Sequence, residues 1–102
     1  MRLYLSGPIS GIPEHNKPAF NENAKILRDA GYEVLNPIEL GVEGEVGWAG
    51  YLKRDIVELL KCEGVAVLDG WSGSKSASLE VHIGTELGMQ IAPVGYWVGV
   101  MA

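Results

Sequence analysis

A chain of 102 residues is long enough for one domain and too short for two, and an apolar fraction of 47% supplies a core. The net charge is −5 and the eight basic residues stand singly apart from Lys53-Arg54, so no basic stripe exists to bind nucleic acid. The single cysteine, Cys62, excludes both a disulfide framework and a thiolate metal cluster.

In chain order, Leu3-Tyr4-Leu5 reads as a short strand that ends at the turn Ser6-Gly7-Pro8. From about Pro18 to Ala30, Phe20, Ala24 and Leu27 recur at helical spacing, and Gly31 follows as a stop. Glu33-Val34-Leu35 reads as a second strand, halted by Asn36-Pro37. The stretch Gly41–Gly47 carries three glycines without an apolar pattern and is expected to be a loop. Trp48 to Cys62 is helical again, with Leu52, Ile56, Leu59 and Leu60 as its apolar face.

Val65-Ala66-Val67-Leu68 is a continuous apolar run of the kind buried on both faces of a sheet. It ends in Asp69-Gly70-Trp71 and the polar loop Ser72–Ser76. A third helix is expected from about Ala77 to Leu87. Ile91-Ala92 opens a fourth strand, which Tyr96–Val100 either extends or follows as a fifth. This alternation implies an α/β chain: one domain over residues 1–102, a three-layer Rossmann- or flavodoxin-like sandwich with a four- or five-stranded, mainly parallel sheet. Ligands in such sheets bind beyond the carboxyl ends of the strands. Ser6-Gly7-Pro8, Asn36-Pro37 and Asp69-Gly70-Trp71 all fall on that edge.

The chain opens directly into a strand without a basic or long apolar leader, and the uncharged stretch Ile91–Ala102 is too short to cross a bilayer. A cytoplasmic, membrane-free protein is the expectation. A domain this small also gains from pairing with a second copy, so a homo-oligomer, a dimer or larger, is expected.

Small residues ahead of the third helix, with Ser72, Ser74 and Ser76, suit an anion through free N–H and hydroxyl donors. The alternative is a flexible loop with one serine as N-cap. No Walker lysine or G-x-G-x-x-G is present. Glu80 falls in the first turn or so of that helix, where the dipole favours its ionised form. It is either a nucleophile toward a sugar carbon or an ordinary dipole-stabilising glutamate. Tyr4 stands next to the first turn and can orient a carboxylate. Asp55, four residues after Tyr51, is either an acid for a leaving base or a solvated residue paired with a nearby lysine or arginine. Trp48 and Trp71 either cover a planar base or pack in the core or in a lid. His15 and His82 have no partner at metal spacing, so no metal and no cofactor are expected, and Cys62 reads as core.

These residues together resemble the nucleoside 2-deoxyribosyltransferase-like superfamily, and within it a small phage and prophage branch. The matching stretches are Tyr4–Gly11, Pro18–Asn21, Asn36-Pro37, Asp55-Ile56, Leu68–Trp71 and Ser76–Glu80, spanning residues 3 to about 92. The resemblance implies that Tyr4 orients Glu80, that Glu80 is the nucleophile, and that Asp55 contacts the base. It implies a substrate-binding set of Ser6, Gly7, Pro8, Ile9, Asn36, Asp69, Gly70, Trp71, Ser74 and Ser76. Gly84–Gly88 also looks like the nucleophile motif, but Glu86 lies beside the helix end, whereas Glu80 precedes Ile91 by about three turns. Ser74 stands six positions before Glu80, where transferases of the superfamily carry an acid and the related deoxynucleoside 5′-monophosphate N-glycosidases carry a phosphate-holding serine. That departure implies a small-molecule nucleotide as partner, with cleavage of its N-glycosidic bond by hydrolysis or transfer. A non-catalytic nucleotide-binding module is a second reading, and a structural or interaction protein that retains only the fold is a third. Relatives often complete the site from a neighbouring subunit, and Pro93–Ala102 matches poorly.

Overall fold

The computed structural model describes residues 1–40 and 47–101. The strands β1 (Arg2–Ser6), β2 (Glu33–Leu35), β3 (Gly64–Val67) and β4 (Gln90–Pro93) form one sheet in the order β2-β1-β3-β4, every neighbouring pair parallel. Parallel neighbours need crossovers long enough to return to the same end of the sheet. The helices α1 (Lys17–Asp29), α2 (Trp48–Leu59) and α3 (Lys75–Glu86) supply them, and α4 (Val94–Met101) follows β4.

Helix α1 packs beside α4, and α2 beside α3, which gives the three-layer α/β sandwich. Alternation along the strands divides the core in two. Leu3 and Leu5 of β1 join Phe20, Ala24 and Leu27 of α1, together with Ala66, Ala92 and Trp97, on one face. Tyr4 of β1 joins Leu59, Cys62, Val65, Val67 and Val81 on the other. β2 flanks β1 on one side and β3 on the other, so the crossovers diverge at the carboxyl ends of β1 and β3. Open α/β sheets bind ligands at such a switch point. All the strand ends singled out in the sequence lie on that edge.

Three expectations are corrected. Tyr96–Val100 neither extends β4 nor forms a fifth strand; it belongs to helix α4. Its aromatic and β-branched residues favour strands, but tertiary packing decides between the two states. Val94, Trp97 and Val98 lie at helical spacing and pack on the sheet, and the Trp97 indole N–H donates to the carbonyls of Val65 and Ala92 at 3.1 Å each. Tyr32 adds a 2.6 Å hydrogen bond from its hydroxyl to the Trp97 carbonyl. Gly64 accommodates this indole: a Cβ there would lie 2.8 Å from the ring. Second, α2 ends at Leu59, which leaves Leu60 more than half exposed and outside the apolar face. Third, α3 begins at Lys75, two residues before the expected start. The expected glycine loop lies outside the described residues except for Gly47, which precedes α2. Among the described residues no helix is long and apolar enough to cross a membrane.

Candidate functional site

Tyr4 and Ser6 are two residues apart on β1 and therefore face the same side, toward α3. The Tyr4 hydroxyl donates to Glu80 Oε2 at 2.7 Å, and the Ser6 hydroxyl donates to Glu80 Oε1 at 2.8 Å. Both carboxylate oxygens are thus held, and Glu80 is only 4% exposed. Burial pushes its carboxyl up to about 7; the two hydroxyl donors oppose that shift, and the charge of Asp55 adds to it. This corrects the expectation of a dipole-favoured carboxylate in the first helical turn. Glu80 lies in the second turn, six residues past the Ser74 cap, and desolvation outweighs the helix end there. Burial and the neighbouring Glu80 and Asp55 hold the Tyr4 hydroxyl well above its usual range, so it stays a donor.

Asp55 reaches the same region from α2. It is buried rather than solvated, and its Oδ1 accepts from Arg54 Nε at 3.0 Å and Arg54 Nη2 at 2.8 Å. Burial raises its carboxyl and Arg54 counteracts the rise. Arg54 also donates to the carbonyls of Leu40 at 3.4 Å and Pro37 at 3.5 Å, tying α2 to the segment after β2. Its guanidinium lies 5.3 Å from the centre of the Tyr51 ring.

The loop after β1 presses against the end of β3. A Cβ on Gly7 would stand 2.7 Å from the Leu68 Cβ, so glycine permits this approach. Asn16 Nδ2 donates to the Pro8 carbonyl at 2.9 Å from a turn in which Glu14, His15 and Asn16 all have positive φ. Such left-handed backbone costs about 1–2 kcal/mol per residue.

Two cavities open over this edge. The smaller, of about 370 Å³, is lined by Pro8, Asp69, Gly70, Gly73, Ser74, Lys75 and Ser76 among others. The larger, of about 590 Å³, includes Ile9, His15, Lys17, Ile38, Tyr51, Arg54 and Asp55 in its walls. Ser10, Trp48 and Ser76 border both. Ser76 precedes Glu80 by one helical turn and stands above it on the same side of α3.

The structure therefore brings Tyr4, Ser6 and Glu80 into one buried cluster, with Asp55 near enough to act on Glu80 electrostatically. That cluster lines neither cavity and lies beneath them. Pro8, Asp69, Gly70, Ser74 and Ser76 line the smaller cavity, while Ile9, Ser76 and Asp55 line the larger. Ser74 caps α3 by accepting from the Ala77 N–H at 3.3 Å, and its hydroxyl lies 3.3 Å from that of Ser76. Asn36 is 2% exposed and structural in its contacts: it accepts from the Ile38 N–H and donates to Asn21. Trp71 packs on the α2/α3 core, whereas Trp48, 41% exposed, borders both cavities. Sequence reasoning missed Arg54 and Lys75 as site residues, although each adjoins a residue it did choose. Among the described residues no group of three His, Cys, Asp or Glu side chains gathers to hold a metal.

The family model described as "Domain of unknown function (DUF4406)" matches residues 1–93, and the chain belongs to that family. No curated protein matches the chain.

Proposed function

We propose that this DUF4406 member cleaves the N-glycosidic bond of a 2′-deoxynucleoside 5′-monophosphate, in the manner of the nucleoside 2-deoxyribosyltransferase-like superfamily that its motifs resemble. The observation that carries the reading is the buried carboxylate of Glu80, clamped by two hydroxyls at the β1/β3 switch point. One oxygen of ionised Glu80 attacks the anomeric carbon as the bond to the base breaks through an oxocarbenium-like transition state. The base leaves with the bonding electrons and takes a proton from Asp55 or from water. Water then attacks the same carbon, loses a proton and releases Glu80 with deoxyribose 5-phosphate; a second base in place of water gives transfer.

In this scheme the larger cavity receives base and sugar beside Asp55, and the smaller receives the phosphate beside Ser74 and Ser76. Tyr4 and Ser6 orient the nucleophile. A carboxyl at about 7 is half ionised near neutrality, so base release rises with pH through that value.

Free base is measured by chromatography after incubation with each deoxynucleoside monophosphate, with and without an acceptor base. The wild-type chain releases base, and Glu80→Ala lowers the rate by at least about a thousandfold. Release by Glu80→Ala at the wild-type rate would falsify the mechanism.

One observation favours a second reading, a non-catalytic nucleotide-binding module. Glu80 lines neither cavity and both its oxygens are already engaged. Tight calorimetric binding with intact nucleotide recovered after long incubation selects that reading.

A further inference from the structure

Lys75 differs from the paired cations of the chain. Arg2, Lys25, Arg28, Arg54 and Lys61 each pair with a carboxylate. Like Lys17 and Lys53, Lys75 makes no ion pair among the described residues, but of these three only its ammonium lies over a ring, 4.3 Å from the centre of Trp48. It does so in the wall of the smaller cavity, with the hydroxyls of Ser74 and Ser76 as neighbours and Asp69 in the same lining. An ammonium on an exposed ring is weakly held, and a phosphoryl oxygen offers it a stronger, charge-assisted hydrogen bond. Lys75 also offsets Asp69, which alone would turn this cavity against anions.

We infer that Lys75 reads the charge of the ligand: a phosphoryl group entering the smaller cavity draws the ammonium off Trp48, and the chain thereby selects a nucleotide over its nucleoside. The inference rests on the proposed function for the identity of the ligand, but not on turnover. Trp48 borders both cavities, so releasing its ring at one connects phosphate occupancy to the surface that meets the base at the other.

Calorimetry on the whole chain tests this with a deoxynucleoside 5′-monophosphate, the matching deoxynucleoside and inorganic phosphate as probes. Lys75→Met, at an exposed position, is expected to lower the monophosphate-to-nucleoside affinity ratio about tenfold. Lys75→Arg is expected to restore most of it, and added salt to shrink the difference. Inorganic phosphate should compete with the monophosphate and not with the nucleoside. An unchanged ratio in Lys75→Met, or a wild-type chain that binds none of the phosphates, overturns the inference. Binding that depends on Lys75 without any release of base supports it and instead sinks the catalytic reading.

Discussion

On one face of the sheet, Leu3 and Leu5 of β1 meet carbon from α1 and α4, and the polar groups present are satisfied within the core itself. On the other face, the intervening residues Tyr4 and Ser6 meet the carboxylate of Glu80. The strand and the depth of burial are the same, and the energetics are opposed. Carbon against carbon stabilises in proportion to the area removed from water. A buried carboxylate does the reverse, and two hydroxyls recover part of its lost hydration. The contrast teaches that the polar demand sits in the α2/α3 layer, which keeps an apolar core of its own around Leu59, Val65, Val67 and Val81 and buries Glu80 beside it.

The largest test of that division removes Trp97. Trp97→Ala deletes a 2% exposed side chain and both its hydrogen bonds, and should cost about 3–5 kcal/mol in urea denaturation. Base release per folded molecule should stay near wild type. A parallel loss of activity at full folding would merge the two faces into one functional unit.

Next comes the pH dependence of stability. Folding raises the Glu80 carboxyl from 4.5 to about 7. A raised acid favours the folded state fully below the unfolded value, and that contribution is lost as pH rises through about 7. The difference is roughly 3 kcal/mol. The urea midpoint of the wild type should fall across this window, and Glu80→Gln should flatten the fall. Equal slopes in the two chains would assign the titration to another group, with Asp55, also raised by burial, the first to test.

The smallest effect sharpens the polar face alone. Tyr4→Phe deletes a donor that pulls the Glu80 carboxyl down. The ascending limb of the rate should move to higher pH, with about a tenfold loss at pH 7. A limb that does not move would mean that Glu80 is not the group titrating in the rate.

Much of this was legible in the sequence because glycine, proline and apolar runs mark where strands end. Ser6-Gly7-Pro8, Asn36-Pro37 and Asp69-Gly70-Trp71 located the carboxyl edge of the sheet, and Phe20, Ala24 and Leu27 located α1. Helix α4 was not legible, because a helix rich in valine and aromatics is identified by what Trp97 touches rather than by local preference. The ionisation of Glu80 was hidden for a related reason. Position along a helix can be counted from a cap, but depth beneath the surface is a property of the packed chain. Lys75 escaped notice because its significance lies in the ring of Trp48, far away in sequence.

The alternation along β1 has a consequence for how such a chain can change. Its five residues work like a reading frame. One residue inserted or deleted within Arg2–Ser6 would turn over every residue on one side of the change, setting leucine toward the carboxylate or a hydroxyl into the hydrocarbon layer. Substitutions can drift there one at a time, but length cannot. Growth and shortening are confined to the loops beyond the strand ends, which are also where a ligand preference would be rewritten.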